Sequence, residues 1–163
     1  MITNGNIDEV IKRIKDFLKG KKPYVSLLSL KESNAFKILI ATMLSARTKD
    51  EVTYKKARAL LKRYPTVEKL AKADVGDIED IIKPVGFYRV KARRLKEVAR
   101  ILMERYDGEV PDSMEELMKL PGVGRKTANC VLVFGFNRDA LPVDTHVHRI
   151  TNRLGWVKTR TPE

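Results

Sequence analysis

One cysteine, Cys130, stands in the 163 residues. The chain therefore cannot close an internal disulfide, build a cysteine-rich zinc site or bind a four-cysteine iron–sulfur cluster on its own. No apolar run approaches the ~18 residues of a membrane helix, and the N-terminal segment, with Asn4, Asn6, Asp8 and Glu9, lacks the apolar centre of a signal peptide. These absences predict a soluble intracellular protein of the cytoplasm, with no membrane partner. Acidic residues are also scarce, 21 against 33 lysines and arginines, which leaves a formal net charge of +12. Such a surplus suits a protein that meets a polyanion, nucleic acid first among them; a merely basic intracellular protein is the other reading. With 43% apolar and 33% charged residues, the chain is neither a disordered polyelectrolyte nor a disulfide-stapled miniprotein. Its length suits one domain, or two small ones.

What is present reads as helix from end to end. Asn6 precedes Ile7, Val10, Ile11, Ile14, Phe17 and Leu18 at a 3.6-residue period, with Glu9 placed to complete a capping box and Gly20 to stop the helix. Lys21-Lys22-Pro23 reads as a linker, and Val25 to Leu30 is apolar without a readable period. Asn34 to Ala46 is apolar nearly all round, which predicts a buried central helix. Asp50 is expected to open a helix to about Arg63, Thr66 a short one, and Asp74 or Asp77 another. Gly86 interrupts. Tyr88 to Tyr106 carries Val90, Leu95, Val98, Ile101 and Leu102 on one face and Arg89, Lys91, Arg93, Arg94 and Lys96 on a basic opposite face, read as solvated or DNA-facing. Asp112-x-x-Glu115 and Ser113-x-x-Glu116 are overlapping capping boxes before a short helix that ends near Leu120. Leu120-Pro121-Gly122-Val123 fits a type II turn, and a further helix runs from about Gly124 through Phe134. The fold class is all-α, a multi-helix bundle without internal repeats.

Two helices joined by a tight glycine turn have a physical use. The turn and the first turn of the second helix present unpaired backbone N–H groups, and the missing Cβ at Gly122 and Gly124 lets a phosphate oxygen approach. Such a hairpin grips DNA backbone without reading bases, and Arg125 and Lys126 add positive charge there.

The segment Leu120-Pro121-Gly122-Val123-Gly124-Arg125-Lys126-Thr127-Ala128-Asn129, followed by Val143-Asp144-Thr145-His146-Val147-His148-Arg149, resembles the helix-hairpin-helix and Gly/Pro…Asp signature of DNA base-excision glycosylases, in particular the endonuclease III subfamily. Leu44 to Asp50, Val85 to Ala92 and Gly108 to Pro111 add to the resemblance, which runs from about Ile7 to Glu163. It implies a helical domain over 30–137 containing the hairpin at about 113–136, and an incomplete second domain from 1–29 plus 138–163 whose C-terminal part is missing. It also implies a monomeric DNA N-glycosylase with AP lyase activity on oxidised pyrimidines and abasic sites in duplex DNA, nucleoid-associated within the cytoplasm. A monofunctional mismatch glycosylase, a non-catalytic hairpin module and a basic helical interaction protein are the rival readings.

The resemblance also assigns residues. Lys126 is the nucleophile and Asp144 its supporting carboxylate. Gly122, Val123, Gly124, Arg125 and Thr127 hold the backbone, and Arg47 and Phe87 fill the gap left by an extruded nucleotide. The carbonyls of Met118, Leu120 and Val123 are the place for a monovalent cation, and the subfamily's usual 4Fe-4S cluster has no ligands here. Ordinary chemistry offers alternatives for three of these. A lysine at a helix N-terminus is commonly a solvated phosphate binder, although that position and neighbouring cations disfavour its ammonium form. Asp144 before Thr145 is also a plain helix cap, and Phe87 beside Gly86 is equally a core aromatic. Spacing permits the closure: a helix from Gly124 to Phe136 is about 18 Å long, and residues 137–143 can span at most about 25 Å, so the chain can return Asp144 towards Lys126.

Overall fold

Local signals set the helices, and in the computed structural model, which describes residues 7–19 and 34–162, most lie where those signals put them. In chain order they are α1 (Ile7–Leu18), α2 (Ala35–Ser45), α3 (Asp50–Arg63), α4 (Val67–Lys72), α5 (Val75–Ile82), α6 (Tyr88–Arg105), α7 (Met114–Met118), α8 (Arg125–Phe136) and α9 (Thr145–Arg153). No strand occurs among the described residues. Asn6, Gly20, the linker at 21–23 and the stretch from Val25 to Leu30 fall outside them. The chain divides into two units, Leu27–Pro142 and Met1–Ser26 with Val143–Glu163.

In the larger unit α2 is the centre. It packs against α8, α3 and α6, while α4 and α5 lie on α6 and α7 lies on α8. Its apolar sequence follows from this: Ile38, Leu39, Ile40 and Leu44 are almost wholly removed from water, and burying each such side chain contributes roughly 1.5–3 kcal/mol. Asn34 starts α2 by accepting the Lys37 N–H at 3.0 Å. Thr66, Asp74 and Ser113 do the same for α4, α5 and α7, taking the N–H groups of Lys69, Gly76 and Glu116. In the smaller unit α1 buries no side chain among its described residues.

Three expectations are corrected. Lys49, not Asp50, holds the cap position of α3 and makes no side-chain cap bond, and Asp50 is already in the first turn, where its charge favours the helix N-terminus directly. Asp112 does not cap α7. Its carboxylate pairs with Arg138, a residue beyond the end of α8, which leaves the cap to Ser113. The third concerns α6, where Lys91 is not on the basic face but buried at 8% exposure, whereas Val90 is 46% exposed. The stripe that faces the core is Lys91, Ala92, Leu95, Val98, Ala99 and Leu102.

Candidate active site and nucleic-acid interface

The hairpin between α7 and α8 is built by its own turn. The Val123 N–H donates to the Leu120 carbonyl at 3.1 Å and Gly122 takes φ +82°, the conformation a type II turn requires at its third position. Gly122 has two reasons to be glycine. Besides its φ, a Cβ there would lie 2.9 Å from Arg94 Cδ. The Arg94 side chain from α6 therefore lies directly over the hairpin. Its basic character was legible in sequence; its contact with a turn 28 positions away was not.

Gly124 differs. As the cap residue of α8 it has φ −98°, open to any L-residue, and a Cβ there would meet nothing within 4 Å. Neither a positive φ nor a close neighbour requires glycine at that point, and the space in front of it is open. No side chain caps α8, so the first N–H groups of the helix point outward without intrahelical partners. Arg125 is exposed beside them, and Lys126 and Thr127 are half-buried. Lys126 makes no ion pair or side-chain hydrogen bond among the described residues. Positive charge, free N–H donors and an unobstructed approach together form an anion-binding surface of the kind phosphate occupies.

Val123 is buried at 6% exposure and serves the turn as an anchor, leaving only its backbone to face a ligand. Of the three carbonyls suggested for a monovalent cation, that of Leu120 already accepts the Val123 N–H and keeps a second lone pair.

Arg47 and Phe87 come together. Phe87 is 63% exposed, so it is not a core aromatic, and the Arg47 guanidinium carbon stands 5.6 Å from its ring centroid, within cation–π range. Both residues have left-handed backbones, φ 53° and φ 57°, which for side chains of this size costs roughly 1–3 kcal/mol each. Arg47 follows α2 and Phe87 immediately precedes α6, so the two loops present one exposed pair.

Asp144, in the smaller unit, is the cap of α9. Its Oδ1 accepts the N–H groups of His146 and Val147, both at 2.9 Å, and Oδ2 takes no hydrogen bond among the described residues. The capping role is thus real and occupies one carboxylate oxygen. The carboxylate charge and the second oxygen are left for other use.

A tight glycine turn between two helices, opening onto an uncapped basic helix start, defines a helix-hairpin-helix nucleic-acid-binding protein. Residues 40–163 match the HhH-GPD superfamily base excision DNA repair protein family. The chain belongs to this superfamily, in its endonuclease III branch. Endonuclease III of Thermotoga maritima is 62% identical over 133 residues, covering 82% of this chain and 62% of that protein. The chain thus spans about three fifths of that relative's length. Among solved structures, a non-covalent endonuclease III–DNA complex superposes with TM-score 0.84 at 35% identity, over 97% of this chain and 72% of that one. A trapped endonuclease III–DNA covalent intermediate gives TM-score 0.84 at 36% identity, with the same coverage.

The cluster associated with this subfamily does not fit the residues present. Four thiolates are needed, the 163 residues hold one cysteine, and Cys130 is buried within α8. Among the described residues no group of three or more histidines, cysteines, aspartates or glutamates is placed to hold a metal ion.

Proposed function

We propose that this chain is a base-excision DNA glycosylase with AP lyase activity, acting on oxidised pyrimidines and abasic sites in duplex DNA. The carrying observation is the start of α8, where an amine, Lys126, stands without an ion-pair partner in the first turn behind an open glycine cap and unpaired N–H groups. DNA backbone is held by those N–H groups, by Arg125 and by the flanks of Gly122, Val123, Gly124 and Thr127, contacts that position without reading bases. The damaged nucleotide is turned out of the stack, and Arg47 and Phe87 take its place. The protein acts as a monomer, wherever duplex DNA lies within the cell.

The chemistry follows from the amine. Neutral Lys126 Nζ attacks the deoxyribose C1′ while the C1′–N bond breaks, and the base leaves with the bonding pair and picks up a proton. Loss of the nitrogen's proton and opening of the sugar give an imine. Removal of a C2′ proton then expels the 3′ phosphate, and water hydrolyses the imine to restore the amine. Asp144, the supporting carboxylate that the endonuclease III resemblance implies, contributes negative charge that favours loss of the lysine's proton and the cation that develops on the sugar. A mismatch glycosylase that releases the base with water needs no such amine, and the presence of Lys126 favours the lyase reading over it. A binding module without catalysis would hold abasic DNA and leave it uncut.

Borohydride reduction tests this. The protein incubated with an abasic or thymine-glycol duplex should be trapped as a covalent complex, and Lys126→Gln should abolish trapping. Trapping that persists in the variant moves the nucleophile elsewhere; none with the native chain removes the lyase assignment. Single-turnover base excision by Asp144→Asn, with thermal melting as the control, separates charge from capping, because asparagine caps about as well as aspartate. Base release in single turnover should slow by orders of magnitude with the melting temperature unchanged. A rate within about threefold of native, less than ~1 kcal/mol on the barrier, reduces Asp144 to a cap.

A further inference from the structure

Lys91 is the one buried charged side chain among the described residues, and the proposed reaction does not use it. Its Nζ spends all three donors, on the Leu44 carbonyl at 2.7 Å, the Ala46 carbonyl at 2.5 Å and Thr48 Oγ1 at 3.2 Å. The first two are orphan carbonyls at the end of α2, where the helix dipole is negative and favours a cation. The last turn of α2 holds no basic residue of its own, so the cation comes from α6. Thr48 Oγ1 extends the tie: it donates to the Ala46 carbonyl at 3.3 Å and accepts the Gly86 N–H at 3.1 Å. At Gly86 the two loops touch backbone to backbone, since a Cβ there would lie 2.5 Å from the Arg47 carbonyl oxygen.

Of the two carbonyls, only that of Ala46 lies on exposed chain, where water would serve; the Leu44 carbonyl is buried and takes its donor from the protein, and an ammonium supplies that donor only against a desolvation cost. What the arrangement achieves is a fixed relation between two loops, each ending in a large residue with a left-handed backbone, Arg47 and Phe87. Such conformations persist only where the surroundings over-determine them.

We propose that Lys91 is a positioning residue for base extrusion, clamping the end of α2 to the turn before α6 so that Arg47 and Phe87 enter the DNA stack as one rigid wedge. This rests on the glycosylase reading, and specifically on the wedge role of those two residues. Lys91 itself touches neither DNA nor the reacting atoms.

The test uses a duplex with 2-aminopurine opposite a tetrahydrofuran abasic analogue, whose fluorescence reports entry of a side chain into the stack at saturating protein. Lys91→Met should reduce the fluorescence change at least threefold and slow single-turnover release of thymine glycol at least tenfold. Thr48→Val, which removes the shared hydroxyl while leaving the ammonium its two carbonyls, should act in the same direction. In an Arg47→Ala/Phe87→Ala background, either change should add less than twofold, because the wedge it positions is already gone. A general loss of stability would instead multiply with that background. Native amplitude and rate in both Lys91→Met and Thr48→Val, or losses that multiply, overturn the proposal. No fluorescence change with the native chain overturns the wedge reading and this proposal with it, while borohydride trapping reports on the glycosylase reading separately.

Discussion

A buried lysine is judged by what its surroundings do to its proton. Burial pushes the Lys91 ammonium down from 10.5 to about 8, and its partners, two carbonyls and a hydroxyl, carry no formal charge to offset that. Below about pH 8 folded and unfolded chains both hold the proton. Between 8 and 10.5 the unfolded chain keeps a proton that the folded chain has released, so the contribution of this residue to stability rises with pH across that window and is lost as pH falls through 8. Thermal melts of the native chain and Lys91→Met should therefore diverge in favour of the native chain from about pH 7.5 to 10. A constant difference would mean that the carbonyls hold the ammonium at its ordinary pKa. The position of Lys91 was legible in the sequence, since it stands four residues before Leu95 and seven before Val98, on the apolar stripe and not across from it. Its charge hid that spacing among Arg89, Arg93 and Arg94. The acceptors that make its burial tolerable lie on another helix, where no local pattern points. Phe87 was ambiguous for a related reason: its exposed ring and the Arg47 guanidinium over it depend on a loop 40 positions away in sequence, where no local pattern points.

Helices and turns were readable wherever the physics is local. A cap side chain reaches an N–H two or three residues on, so Thr66, Asp74 and Ser113 announced their helices. Asp50 and Asp112 carried the same signal and misled, one because the chain was already helical at that point, the other because Arg138, 26 positions later, takes its carboxylate. The hairpin shows the same division. Pro121-Gly122 specified the turn, but only the fold separates the work of its two glycines. Gly122→Ala should destabilise the protein by about 1 kcal/mol or more, since alanine must adopt a positive φ and meets Arg94. Gly124→Ala should cost up to about 1 kcal/mol, the ordinary preference of a helix cap for glycine over alanine, and no more, for its backbone is ordinary and its Cβ enters open space. It should nonetheless weaken binding to undamaged duplex roughly tenfold, about 1.4 kcal/mol, by standing where a phosphate oxygen comes in. Melting curves and binding isotherms of the two variants decide this. Native affinity in Gly124→Ala would mean that the phosphate does not approach there, and a large loss of stability would mean that the glycine serves the fold.

The excess of positive charge belongs to the molecule as a whole, and its use is not spread evenly. Several ion pairs join residues one helical turn apart on exposed faces, such as Lys72 with Glu68 and Arg100 with Glu104, and pairs of that kind add little stability. Arg94 and Arg125 make no ion pair among the described residues, and both stand at the hairpin, Arg94 over Gly122 and Arg125 in the first turn of α8. Cations left unpaired beside unpaired N–H groups are placed to release the counterions of DNA. Each phosphate neutralised lowers the slope of log K against log salt by about 0.9. For about five contacts, affinity for duplex should fall roughly 500-fold between about 50 and 200 mM salt, alike for undamaged and abasic DNA. Arg94→Gln and Arg125→Gln should each make the slope shallower by about one phosphate's worth, with the ratio between abasic and undamaged affinities unchanged, since backbone contacts carry no information about the lesion. Titrations of both duplexes at four salt concentrations measure this directly. A native slope in either variant would remove that arginine from the backbone contacts, whereas a change in the abasic-to-undamaged ratio would move it from the phosphates to the lesion.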